Sequence, residues 1–182
     1  MKRLARRLPN PKGAAHVPPI ARPRLAAATA FATLVPATAT SQGRPDLLRP
    51  VHEPTIERAR DAAARKIEKR GCQSLLDEFK DKSGRPLSEN LATWNLTPAD
   101  YLRTMPIRDG SFHPFCRSGK SALVSVVGVP PVFVCPNFRK QAERDPWKAE
   151  NWIIHEMLHT LGLGENPPSS PEITRRVNEH CE

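Results

Sequence analysis

Asp145-Pro146-Trp147 and Gly162 bracket the one stretch of this 182-residue chain whose secondary structure and burial are both dictated locally. A capping aspartate, a proline suited to the first helical position and a glycine beyond the last turn start and stop a helix of about sixteen residues. Trp147, Asn151, Ile154, Leu158 and Leu161 follow at alternating spacings of four and three, which lines them up as one stripe facing a core. Between Asn151 and Leu163 every residue except His155, Glu156 and His159 is uncharged. A helix this apolar needs a scaffold around it, so an α+β fold is expected, with scaffold helices and a small sheet packed on this helix.

The scaffold can be traced in outline. From Pro54 to about Lys80, good helix formers carry apolar residues at Ile56, Ala59, Ala63, Ile67, Leu75, Leu76 and Phe79, with Gly71 as the expected break between helices. Thr97-Pro98-Ala99-Asp100 has the cap, first-turn proline and third-position acid of another helix start. Ser169 or Ser170, followed by Pro171, opens a last helix through Glu172, Ile173 and Val177. Leu123–Val127 and Val132–Val134 are rich in β-branched residues and read as two strands joined by Gly128-Val129-Pro130-Pro131.

Length allows one compact domain with appendages and excludes two full-sized ones. The net charge of +9 is concentrated at one end. Seven of the 28 basic residues and no acid lie in residues 1–39, so residues 40–182 carry 21 basic against 19 acidic residues. A near-neutral body argues against a nucleic-acid binder. The basic stretch ending at Arg24 runs into eleven uncharged residues, Leu25 to Val35, and then Ala37-Thr38-Ala39. That order is expected of a signal peptide, residues 1–39, cleaved after Ala39; residues 40–53 follow as a linker and residues 54–182 as the domain. The apolar run is shorter than the ~18 residues of a membrane span, so no span is expected in the mature chain, which is expected to be secreted or periplasmic.

Cys72, Cys116, Cys135 and Cys181 all follow the expected cleavage point. An even number in an exported chain implies two disulfides. Three pairings are open; the expectation is Cys72–Cys116 with Cys135–Cys181, the second tying the C-terminus to a strand. No C-x-x-C pair supports a finger-type zinc site.

The chemistry lies in His155-Glu156-Met157-Leu158-His159. Residues four apart on a helix project from the same side, so the two imidazoles can share one ion. Glu156, rotated by about 100° from His155, can reach a water near that ion without being a ligand. The segment His155-Glu-Met-Leu-His159-Thr-Leu-Gly162-Leu-Gly164-Glu165 resembles the zincin metallopeptidases, and its metzincin branch in having Gly162 at the glycine position and Glu165 at the third-ligand position. Glutamate stands there in place of histidine or aspartate, and no methionine follows Met157. The stretch from Gly164 to Ser170 with the terminal Cys181 also resembles a group of small exported bacterial proteins.

The resemblance implies a small zincin-like domain that binds Zn²⁺ and hydrolyses peptide bonds of a peptide or protein substrate. Its ligands would be His155, His159 and Glu165, with Glu156 as general base. Glu179, twenty residues past His159, is the other candidate third ligand, as in thermolysin-like enzymes. Tyr101, His180, Arg175 and Arg176 are the polar groups considered for oxyanion stabilisation, and Val132–Val134 is the expected edge strand for a bound peptide. The alternative is a disulfide-stabilised exported binding or structural protein whose metal site is vestigial or serves only the fold. His52 and His113 are read as ordinary surface or structural histidines.

Overall fold

The computed structural model describes residues 53–182. The expected leader, residues 1–39, and residues 40–52, His52 included, lie outside the described residues. The chain forms α1 (Pro54–Ile67), α2 (Arg70–Glu78), α3 (Leu87–Thr93), α4 (Pro98–Thr104), β1 (Ile107–Asp109), α5 (Pro114–Arg117), β2 (Leu123–Val126), β3 (Val129–Val134), α6 (Phe138–Arg144), α7 (Pro146–Thr160) and α8 (Ser170–His180). The α+β class expected from the sequence is what the chain adopts. No helix among the described residues is long and apolar enough to cross a membrane.

Local capping chemistry sets the helix starts. Asp145 accepts the backbone N–H of Lys148 at α7, Thr97 that of Asp100 at α4, and Ser169 that of Glu172 at α8. Gly71, expected to break the first helical region, lies inside α2; the break falls at Glu68-Lys69. A Cβ on Gly71 would stand 2.9 Å from the carbonyl oxygen of His180, so this glycine allows α2 and the end of α8 to approach closely.

α7 is the central element, packed against α1, α6, α8 and the sheet. Ile153, Ile154, Met157 and Leu158 are fully buried, so the helix is enclosed on more than the one expected stripe. Trp147 departs from that stripe. It lies in the first turn, beyond the core, is 41% exposed, and carries the Lys66 ammonium over its ring at 4.9 Å. Lys66 is itself buried, paired with Glu150 at 2.6 Å and bonded to Asn151 Oδ1 at 3.0 Å, while the Asn151 amide donates to Asn178 at 2.9 Å. This network joins α1, α7 and α8 and explains an asparagine on a core stripe.

The sheet has the order β1-β3-β2, with β1 parallel and β2 antiparallel to β3. The second expected strand starts earlier than read, at Val129, so Pro130 and Pro131 lie within β3 and the turn is Val127-Gly128. The register shifts between Ser125 and Val126, where Val132 and Val129 are the successive partners; the two prolines occupy that irregularity, where a missing N–H costs no ladder bond.

The disulfides are Cys72–Cys181 and Cys116–Cys135, which corrects the expected pairing. α8 packs on α2 and so delivers Cys181 to Cys72, while Cys135 follows β3 and meets Cys116 on α5. Two disulfides are compatible with an extracellular protein.

The segment after α2 braces the end of α7. Asp81 accepts the backbone N–H groups of Ser83 at 2.8 Å and Arg85 at 3.0 Å, the Arg85 guanidinium at 3.0 Å and the Asn90 amide at 3.3 Å. Asn90 also donates to the Leu161 carbonyl at 2.8 Å, and Asp81 bridges to Leu163. These donors, the Arg85 N–H foremost, lower the Asp81 carboxyl from 3.8 to about 2. Between those values the unfolded chain binds more protons, so the stability Asp81 contributes is complete above pH 3.8 and is lost as pH falls through about 2. Urea unfolding of wild type and Asp81→Asn is expected to show a stability gap at about pH 6 that closes towards about pH 2; a gap independent of pH would refute the assignment.

Candidate metal centre

Spacing along α7 brings the two imidazoles together on one side of the helix as expected, edge to face: His155 Nε2 and His159 Nε2 lie 3.1 Å apart, and both residues are buried. Past Thr160 the chain reverses at Gly162, whose φ of 112° and whose position, with an added Cβ 3.1 Å from Asp81 Cβ, suit glycine. Gly164 has no comparable constraint, since a Cβ there would meet only the end of Lys82 at 3.9 Å. The turn brings Glu165 Oε1 to 3.4 Å from His159 Nε2. One donor atom from each of His155, His159 and Glu165 lies within 4.8 Å of the others, and the three can hold a metal ion.

The surrounding bonds suit a cation. His159 Nδ1 is 2.8 Å from the Leu163 carbonyl, which can only accept, so Nδ1 carries the proton and Nε2 presents its lone pair. His155 Nδ1 is 3.1 Å from Thr174 Oγ1 on α8, an oxygen able to accept the same kind of bond. With both Nδ1 atoms protonated, two Nε2 lone pairs and a carboxylate oxygen converge with no hydrogen between them. Tetrahedral zinc with ligands at 2.0–2.1 Å separates its donors by about 3.3 Å, close to the two distances observed. Burial, and secondarily His159 beside it, lowers His155 to about 3 and keeps its ring neutral, the form that coordinates.

Glu156, next to His155 on α7, borders the same cleft and meets β2. Ser125 Oγ donates to Glu156 Oε2 at 2.5 Å, and the Ser125 backbone N–H donates to the same carboxylate. Burial pushes the Glu156 carboxyl above its ordinary value, with the Ser125 bonds opposing the shift. His155, Glu156, His159 and Glu165 together line a cleft of about 420 Å³ whose other wall is β2. A larger hollow of about 600 Å³ lies among α1, α6 and the start of α7 and contains none of these groups.

The remaining sequence candidates lie elsewhere. Glu179 is exposed on α8 and paired with Arg175 at 2.6 Å, so it is not in the cluster. Arg175 and Arg176 also pair with Glu172, and His180 is within 3.8 Å of Glu78. Tyr101 is a core residue, its hydroxyl donating to Thr160 at 3.0 Å. Val132–Val134 belongs to the central strand, with neighbours on both sides, so the strand at the edge beside the cleft is β2. Ser125 and Thr174 were not legible as site residues: each comes from a separate element, 31 residues before Glu156 and 19 after His155, and neither sits in a local pattern. No family model, no curated protein and no solved structure matches the chain.

Proposed function

We propose that this domain is a zinc-dependent peptide hydrolase. The observation that carries the reading is the convergence of His155, His159 and Glu165 beside a glutamate held by a second element across an open cleft. When bound, zinc supplies a Lewis acid that acidifies water and polarises a carbonyl.

The chain's own residues then have definite tasks. Ser125 fixes Glu156 Oε2, which leaves Oε1 to take a proton from the attacking water. The water oxygen bonds to the peptide carbonyl carbon, the C–N bond breaks, and Glu156 Oε1 passes the proton to the departing amine nitrogen. A raised carboxyl pKa suits a group that must both accept and return a proton. The backbone of β2 supports extended peptide binding. Cys135 N–H donates to Ala122 O at 2.9 Å, so the alternation of antiparallel pairing turns the N–H and C=O of Leu123 and the C=O of Ser125 away from β3, while the Ser125 N–H is taken by Glu156.

The test combines metal content with a single substitution. The purified chain is expected to hold about one zinc and to cleave members of a broad peptide library, while Glu156→Ala keeps the zinc and loses about 100-fold or more in rate. A wild-type protein that holds zinc and cleaves no peptide would instead establish the metal as structural, in an exported binding protein.

A further inference from the structure

One exposed aromatic side chain stands at the cleft. Phe115 is 65% exposed, the most of any large hydrophobic side chain among the described residues, and it lines the same cleft as His155 and Glu156. It is nevertheless firmly mounted. α5 has only four residues, yet Cys116 within it is bonded to Cys135, and His113 Nδ1 accepts the Phe115 backbone N–H at 3.4 Å. The His113 ring stacks on Phe115 at 5.7 Å and on Phe133 at 5.7 Å. Phe133 pairs across the sheet with Val124, on the face opposite that of the buried Leu123 and Val134. A row of rings thus carries Phe115 out to the cleft rim, where Val124 and Val127 continue the apolar surface.

Holding a phenyl ring mostly in water forgoes the stabilisation that burying it would give. An ordered apolar rim is a recognition feature. The same cleft is lined by two carboxylates, Glu156 and Glu165, and by no lysine or arginine, so an acidic side chain would find no partner in it.

We propose, on the hydrolase reading above, that Phe115, Val124 and Val127 form an apolar subsite selecting peptides with a large aliphatic or aromatic side chain near the scissile bond and rejecting acidic ones. The zinc-loaded full chain is incubated with a peptide library randomised around a central bond, and products are read by mass spectrometry. Cleavage is expected to be enriched for Phe, Leu, Met or Tyr at one position. Phe115→Ala is expected to lower kcat/KM for those peptides by roughly tenfold or more, with Phe115→Leu close to wild type and zinc content and disulfides unchanged. Cleavage with no apolar preference, or a preference that survives Phe115→Ala, overturns the subsite and leaves the hydrolase reading standing. No cleavage by a zinc-loaded wild type overturns both.

Discussion

Replacing His159 with alanine is expected to weaken zinc binding by more than 100-fold, the largest change any single substitution produces at this centre. His159 is the middle donor of the cluster, 3.1 Å from the His155 nitrogen and 3.4 Å from the Glu165 oxygen, so its removal leaves two groups that no longer share a neighbour. Losing an outer partner of a ligand typically costs 10–100-fold in metal affinity, and losing the ligand itself costs more. The Leu163 carbonyl also loses its donor, which adds a penalty to the fold of about 1–3 kcal/mol if water cannot replace the bond. Two measurements separate these effects. Competition against a chromophoric chelator reports affinity directly. Thermal unfolding with and without zinc reports linkage, because a cation that binds only the folded state raises the midpoint with concentration. Wild type is expected to respond to zinc and His159→Ala to be insensitive to it. A variant retaining wild-type affinity would mean that the ion, if bound, sits elsewhere.

The parts of this protein legible in its sequence are those specified within a few residues. Thr97, Asp145 and Ser169 announce helix starts because a cap bonds to an N–H three residues on, and His155 and His159 meet because four residues make about one turn. Glu165 was reachable by the same logic, through a glycine whose positive φ reverses the chain directly after the helix. Properties set by packing were not legible. Which strand forms the sheet edge depends on β1 returning parallel to β3, and nothing within residues 123–134 encodes that neighbour. Gly71 looked like a break because the sequence does not show that a helix end comes to rest against it. Ser125 and Thr174 are ordinary in their own segments and acquire roles only when β2 and α8 pack on α7.

The cysteine pairing failed for the same reason, and the observed pairing sets the second large expectation. Cys72 and Cys181 are 109 residues apart and wholly buried, whereas Cys116 and Cys135 are 19 apart. A cross-link limits the unfolded chain more as its loop lengthens, by about 4–5 kcal/mol for the long loop against about 3 kcal/mol for the short one. Small domains have only about 5–15 kcal/mol in total, so Cys72→Ala/Cys181→Ala is expected to remove a large share of it, and Cys116→Ala/Cys135→Ala distinctly less. Urea unfolding of both double variants, against wild type with and without reductant, measures the difference. The long tether also has a local task, because α8 carries Thr174 to His155 and ends at Cys181. If the two double variants proved equally stable, the packing of Ile173 and Val177, both fully buried, would be what holds α8 in place, and the disulfide would add little to a helix already anchored.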